Sequence, residues 1–235
     1  MKEYHLVAMI PARMGSKRIP NKNTRYLCGK PLIQYPIDLA LGCTAFKSVY
    51  VNTESTALGY ASKKMGVSFY HRSDALAADH ATNRDFVYDF LKNVECDYVV
   101  MMNPTAPALR PQTVECFVQY LRNNDYDTIL SVVSIQAEAF YMGKPVNFNK
   151  QQKINSQLLE PIYETVWALT AWKRNMFMTL YENNQCPVFG GKLGRFVIPK
   201  DEACDIDTEE DWNIAEGLLT ARQIQASKEH RYLKL

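Results

Sequence analysis

The stretch HLVAMIPARMGSKRIPNKN, residues 5–23, decides the fold, because a short apolar run leads directly into a basic loop. Residues 5–11 predict a buried strand, since the run is short, apolar and bounded by proline. In the basic loop, residues 12–23, Gly15 and Ser16 permit close approach to the backbone. The loop carries four cations: Arg13, Lys17, Arg18 and Lys22. At the carboxyl edge of a sheet such a loop is suited to phosphate, and the alternative is a solvated loop that binds no ligand.

Outward from this stretch, short apolar runs alternate with amphipathic segments. The runs predict strands at 48–52, 67–71, 97–102 and 127–133. The amphipathic segments predict helices at 31–41, 56–65, 82–93 and 111–123. This alternation is typical of βαβ units with right-handed crossovers and a largely parallel sheet covered on both faces. The first 130 residues therefore predict a Rossmann-like three-layer α/β unit.

The alternation stops between residues 136 and 190, where polar Asn- and Gln-rich segments precede the aromatic run YETVWALTAW. This pattern predicts a β-rich insertion of the kind that packs on a partner subunit. Residues 196–199 predict a returning strand, and 207–222 a closing helix with Thr208 as its N-cap. We therefore expect a single domain over residues 1–235, with an inserted dimerisation subdomain at about 136–190.

Composition excludes several classes of protein. The 235 residues are 47% hydrophobic with a net charge of +2, which excludes intrinsic disorder and makes nucleic acid an improbable main partner. No run of about 18 apolar residues could span a membrane, and the basic cluster follows the first apolar run, which argues against a signal peptide. The six cysteines form no CxxC pair, so we expect them to be reduced and mostly buried. These features predict a cytoplasmic protein.

The acidic segment CDIDTEEDW, residues 204–212, is the second chemical signal. In an extended chain Asp205 and Asp207 point the same way, so both carboxylates can share one hard cation such as Mg²⁺. The alternative is an acidic helix N-terminus that only favours the helix dipole, and it fits residues 209–211 better than this pair. A basic phosphate loop and a carboxylate pair in one α/β domain together indicate nucleotide transfer from a triphosphate.

Five ordered blocks over nearly the whole chain carry a family resemblance: IPARMGSKRIPNKN, GKPLIQYPIDLAL, RSDALAADHAT, NPTAPALRP and CDIDTEEDW. Together they resemble the acylneuraminate (nonulosonic acid) cytidylyltransferases. Residues 79–82 and 104–107 are more similar to the pseudaminic and legionaminic acid branch than to the animal-type sialate enzymes.

The resemblance implies a Rossmann-like nucleotidyltransferase fold, a homodimer, and CTP-dependent attack of an acidic sugar on the α-phosphorus with release of pyrophosphate. It implies that the triphosphate is held by Arg13, Gly15, Ser16, Lys17, Lys22 and Asn23. The cytosine and ribose would lie near Arg72, Asp79 and Thr82. Asp205 and Asp207 would bind Mg²⁺, and the expected catalytic residues are Arg13, Lys17 and Asp207.

Asn103, Thr105 and Trp167 belong to the acceptor side that the resemblance implies. Asn103 replaces the usual Gln of the family, and Trp167-Ala168 replaces an Asn-Gly pair. A large apolar side chain there predicts that N-acetylneuraminate is a poor substrate and that a deoxygenated acidic sugar is preferred. The alternative is that Trp167 points into the core of the inserted subdomain and leaves the choice of acceptor untouched. Two other functions stay open, namely the same chemistry on a different acidic acceptor and a CTP-binding protein without turnover.

Overall fold

The structure is a computed structural model that describes residues 2–225. In chain order, the strands of this part are β1 (Leu6–Pro11), β2 (Tyr26–Leu27), β3 (Lys30–Pro31), β4 (Phe46–Thr53), β5 (Ser68–His71), β6 (Tyr98–Met102), β7 (Thr128–Ile135), β8 (Phe140–Tyr141), β9 (Lys144–Pro145), β10 (Ile162–Lys173) and β11 (Leu193–Val197). The α-helices are α1 (Gln34–Gly42), α2 (Thr56–Lys64), α3 (Asn83–Asn93), α4 (Pro111–Asn123), α5 (Arg174–Glu182) and α6 (Glu209–Gln225). Residues 1 and 226–235 of the predicted single domain lie outside the described part.

Seven strands form the main sheet in the order β11-β7-β10-β6-β1-β4-β5. Strand β10 runs antiparallel to β6 and β7, whereas the other pairs are parallel. The predicted α/β class with a mainly parallel sheet is confirmed. The chain leaves β1 for β4 on one side and later returns to β6 on the other, so the strand order reverses at β1. In open α/β sheets, ligands bind at the carboxyl ends of the strands that flank such a switch point.

Both faces of the sheet are covered, because side chains alternate between the faces along each strand. Leu6, Ala8 and Ile10 of β1 belong to one buried cluster, which also contains residues of α1, α2 and α4. Val7 and Met9 belong to a second cluster with residues of α3 and α5. This arrangement gives the three layers that the sequence predicts.

A third buried cluster fixes the basic loop. Ile19 and Leu27 pack with Ile206 and Trp212, which lie at the start of the closing helix. The Arg25 guanidinium lies 4.2 Å from the centre of the Trp212 ring. The loop is therefore held against the acidic segment by apolar burial, so that its cations are presented from a fixed backbone.

The predicted insertion at 136–190 needs correction. Strand β10 lies in the middle of the main sheet, and α5 packs beside α3. Its aromatic and aliphatic content reflects burial on both faces of a central strand, and periodicity alone does not separate that case from an inserted arm. Within the predicted insertion, the strands outside the main sheet are those of the β8–β9 hairpin. We call the part that contains this hairpin, residues 136–161, the outlying segment.

Smaller predictions have mixed outcomes. Thr208 caps α6 as predicted: its Oγ1 accepts from the Asp211 N–H at 3.3 Å, and the Asp211 carboxylate accepts from the Thr208 N–H at 2.8 Å. The returning strand begins at Leu193, three residues before the predicted start. The cysteines are less buried than expected, since of the six only Cys43 is buried, Cys186 is exposed and the other four are partly exposed. Within residues 2–225 no helix combines the length and apolar character needed to cross a bilayer.

Candidate active site

A cavity of about 500 Å³ opens beside the carboxyl ends of β1 and β6, where the strand order reverses. Its walls bring together ten of the residues predicted for the site: Arg13, Ser16, Lys17, Lys22, Asn23, Arg72, Asp79, Asn103, Thr105 and Asp207. They come from loops that are far apart in the chain and meet because parallel strands end at one edge of the sheet.

The basic loop is tied down by its own polar side chains. Asn23 is buried, and its Nδ2 donates to the Arg13 carbonyl at 2.8 Å. Lys22 Nζ donates to the Ile206 carbonyl at 2.6 Å and lies 3.4 Å from Asp207 Oδ1. Burial lowers the pKa of the Lys22 ammonium, and the charge of Asp207 opposes that shift. The loop and the acidic segment thus form one connected wall.

The exposed cations of the loop pair with two carboxylates. Arg13 Nη1 lies 2.9 Å from Asp79 Oδ1, and Lys17 Nζ contacts the other Asp79 oxygen. Hydrogen bonds from Lys17 and then Arg13 hold the pKa of Asp79 below its ordinary value. Arg18 Nη2 lies 2.9 Å from Asp207 Oδ2. In these pairs the cations surround carboxylate oxygens. The phosphate oxygens of a ligand can accept the same charge-assisted hydrogen bonds.

The Asp205–Asp207 pair fits a divalent cation in its charge and donor type. Burial, followed by the negative charge of Asp207, raises the pKa of Asp205, whereas a hydrogen bond from Thr105 lowers it. A cation shared by the pair would remove this repulsion. In the described part of the chain no three His, Cys, Asp or Glu side chains are grouped as a metal site. Two carboxylates suit Mg²⁺, which usually completes its coordination with water and phosphate oxygens.

The other acids of the segment follow the alternative reading. Asp211 caps α6, and Glu209 Oε1 lies 2.6 Å from Arg25 Nη1. Their carboxylates are thus engaged in helix capping and surface pairing.

Arg72 and Glu54 form a buried pair at the far side of the cavity. The Arg72 side chain is 3% exposed, and its Nη2 lies 3.6 Å from Glu54 Oε2. The guanidinium also lies 5.1 Å from the centre of the Phe86 ring. Burial lowers the pKa of Arg72, and the Glu54 carboxylate opposes that shift. Glu54 was not among the residues predicted from sequence, although an acid two residues after a predicted strand could have indicated it.

Four predicted site residues do not line the cavity: Gly15, Thr82, Trp167 and Asp205. Thr82 forms a capping box with Asp85 at the start of α3. Gly15 is exposed, and a methyl group added there would meet no other atom. Asp205 lies two residues before Asp207, which does line the cavity.

Trp167 is a correction to the predicted acceptor side. Its ring lies 5.9 Å from Phe189 and packs against the cluster that contains α3 and α5. Neighbours on a strand point to opposite faces, and Val166 and Ala168 take the face of α1 and α4. Trp167 therefore packs against a core, as the alternative held, although this is the core of the main sheet and not of a separate subdomain. The argument that its ring excludes N-acetylneuraminate loses its basis.

The acceptor-side residues that do line the cavity are held by backbone bonds. Asn103 N–H donates to the Ala168 carbonyl at 3.1 Å, and the Thr105 carbonyl accepts from the Ile206 N–H at 2.9 Å. The cavity also includes Arg18, which the sequence analysis named as a loop cation but not as a site residue. Three further lining residues were missed by sequence reasoning: Leu76, Ala78 and Phe86. The apolar members carried no signal in the sequence, because small and aromatic side chains are common in any core.

Comparison with known proteins gives consistent matches. A family model described as cytidylyltransferase matches residues 7–225. The CMP-N,N'-diacetyllegionaminic acid synthase of Legionella pneumophila is 29% identical, over 93% of this chain and 97% of that protein. The N-acylneuraminate cytidylyltransferase A of Danio rerio is 26% identical over 92% of this chain, and that of Escherichia coli O18:K1:H7 is 28% identical over 89%. This chain spans about half the length of the latter two, 51% of each.

Solved structures share the fold. A CMP:2-keto-3-deoxy-manno-octonic acid synthetase complexed with CTP superposes with a TM-score of 0.72 at 20% identity, covering 93% of this chain and 99% of that one. The 4-diphosphocytidyl-2C-methyl-D-erythritol synthase of Anaerococcus prevotii gives a TM-score of 0.66 at 12% identity, covering 92% and 96%.

Proposed function

This chain belongs to the cytidylyltransferase family, and on that premise we propose that it transfers CMP from CTP to an acidic nonulosonic sugar and releases pyrophosphate. The observation that carries the proposal is the meeting of the basic loop with Asp207 in one cavity at the switch point of the sheet. The Legionella pneumophila relative, 97% of whose own length is covered by the match, is named as a synthase of a CMP-nonulosonic acid, which supports that sugar class.

In this reaction the anomeric hydroxyl oxygen of the sugar attacks the α-phosphorus of CTP. A new bond forms between this oxygen and the α-phosphorus, the bond from the α-phosphorus to the bridging oxygen of the pyrophosphate breaks, and the hydroxyl proton passes to solvent. Negative charge grows on the departing pyrophosphate. Arg13 and Lys17 line the cavity and carry the positive charge that would stabilise it. Binding of the triphosphate exchanges their contacts with Asp79 for contacts with phosphate oxygens.

We further propose that Mg²⁺ is the cofactor, held by Asp205 and Asp207. When bound, it would neutralise charge on the phosphates. Lys22 and Arg18 already contact Asp207, so this carboxylate stays oriented toward the cavity between them.

A homodimer in the cytoplasm completes the proposal. The outlying segment, residues 136–161, exposes large apolar side chains: Phe140, Tyr141, Met142, Val146 and Leu158. Several large apolar side chains exposed on one segment are typical of a protein interface. Six free cysteines fit a reducing compartment such as the cytoplasm.

The test is release of pyrophosphate from CTP with a panel of acidic sugars, namely N-acetylneuraminate, legionaminate, pseudaminate and 2-keto-3-deoxy-manno-octonate. We expect release with at least one of the nine-carbon acids, dependence on Mg²⁺, and little release with UTP. Release with the eight-carbon acid alone would favour a different acidic acceptor. CTP binding without pyrophosphate release from any of them would favour the non-catalytic alternative.

A further inference from the structure

Glu54 stands between two walls of the cavity. It directly follows β4, which lies between β1 and β5 in the sheet. Backbone pairing continues past the strand ends on both sides: Ala12 N–H donates to the Asn52 carbonyl at 2.9 Å, and Arg72 N–H donates to the Thr53 carbonyl at 3.2 Å. The position of Glu54 between the basic loop and Arg72 is therefore set by the sheet itself.

The two carboxylate oxygens of Glu54 face different groups. Oε1 accepts a hydrogen bond from the backbone N–H of Met14, in the basic loop, at 2.7 Å. Oε2 lies 3.6 Å from Arg72 Nη2, which is an ion pair longer than a hydrogen bond. One side chain thus contacts both the loop expected to hold phosphate and the guanidinium on the opposite wall.

This pair is buried and only partly satisfied. The Glu54 side chain is 14% exposed. Among the described residues, neither Glu54 Oε2 nor Arg72 Nε has a hydrogen-bond partner. A buried charge without its full set of partners is costly, and an arrangement that improves only when a ligand arrives is typical of functional sites. Arg72 lines the cavity, so a ligand can reach it.

Glu54 also counters repulsion between two cations. Burial lowers the pKa of Arg72, the Glu54 carboxylate opposes that shift, and the positive charge of Arg13 adds to it. Without this carboxylate, two guanidinium groups would repel each other across the cavity.

We propose that Glu54 is a positioning residue that holds the basic loop through Met14 and orients Arg72 toward the nucleoside part of CTP. The proposal rests on the proposed use of CTP. The two roles of the Glu54 side chain have different requirements. The hydrogen bond from Met14 needs only an acceptor oxygen, whereas the contact with Arg72 needs negative charge.

The experiment compares Glu54→Gln, Glu54→Ala and a control, Asp89→Asn, in the full chain. Asp89 is a partly buried carboxylate that accepts from the Tyr70 hydroxyl at 2.8 Å and does not line the cavity. Calorimetry measures the affinities for CTP and for inorganic tripolyphosphate, and thermal melts check folding. The ratio of the two affinities is the readout, because a loss of stability alone would weaken both ligands equally.

Glu54→Gln keeps an acceptor for Met14 and removes the charge that faces Arg72. We expect its CTP affinity to fall about tenfold, because a misoriented Arg72 would lose one charge-assisted hydrogen bond to CTP, with tripolyphosphate affinity kept within about twofold. Glu54→Ala should weaken both ligands. Asp89→Asn should leave the ratio unchanged.

An unchanged ratio in Glu54→Gln, in a parent that binds CTP more tightly than tripolyphosphate, would overturn the role of Glu54 alone. A parent that shows no preference for CTP would contradict the proposed function and this role together. If Glu54→Ala does not fold, the Glu54→Gln ratio still decides.

Discussion

The basic loop and the outlying segment, residues 136–161, differ in which side chains they expose to solvent. In the loop, charged side chains are countered within the same chain, as in the pairs of Arg13 with Asp79 and Arg18 with Asp207, and buried apolar residues lie beneath them. In the outlying segment, apolar side chains face solvent, and Met142 is 85% exposed. The difference indicates that changes in the loop will affect nucleotide chemistry, whereas changes in the segment will affect association.

The largest effect is expected from Asp207→Asn and Asp205→Asn. An amide keeps the shape of the side chain but removes the charge that a hard cation requires, so turnover supported by Mg²⁺ should be lost. Steady-state pyrophosphate release measures the loss. Mg²⁺ should raise the Tm of the parent in the presence of CTP and leave the Tm of both variants unchanged. Variants with parental Mg²⁺ dependence would mean that the metal lies elsewhere.

Arg13→Ala and Lys17→Ala should each reduce transition-state stabilisation by about 2.7–4 kcal/mol, as for one lost donor to a developing anion. Stability should change by less than about 0.5 kcal/mol, because both residues lie in a surface loop. The control is Lys2→Ala, which removes an exposed lysine that pairs with Asp125 outside the cavity. If kcat/KM stays near the parental value in both loop variants, the alternative of a solvated loop that binds no ligand is correct.

Trp167→Asn tests the core-packing assignment. We expect the free energy of unfolding to fall by about 1–3 kcal/mol, since the ring is partly buried, with no change in the order of preference among acidic sugars. Trp172→Ala on the same strand should cost more, about 3–5 kcal/mol, because Trp172 is fully buried and its Nε1 donates to the Val188 carbonyl at 3.0 Å. Denaturant unfolding and competition assays measure the two effects. A shift toward hydroxyl-rich sugars would return Trp167 to the acceptor side.

The smallest effect on nucleotide binding is expected from Tyr141→Ser combined with Met142→Ser in the outlying segment. Light scattering should change from about twice the chain mass of 27.0 kDa to a single chain, because exposed apolar area at the proposed interface is removed. CTP affinity should stay at the parental value. A parent that scatters as a single chain would contradict the homodimer, and loss of CTP affinity would break the separation between the two regions.

Prediction from sequence succeeded where the signal is local. Strand and helix periods over residues 5–133 depend on neighbours a few positions away, and these elements appear with small shifts at their ends. It failed for β10, because an apolar run reads the same whether the strand is central or part of an insertion. It also failed for Glu54, whose importance depends on Met14, 40 residues away in the chain.

The sequence by itself determined the alternation of the α/β unit, the charge of the basic loop and the i, i+2 spacing of Asp205 and Asp207, because each is a property of adjacent residues. Only the tertiary structure decided that Lys22 meets Ile206, 184 residues away, and that Trp167 faces the layer of α3 and α5. Strand order and the choice of face follow from packing of the whole core. Side chains that are distant in sequence become partners only when the sheet brings strand ends to one edge.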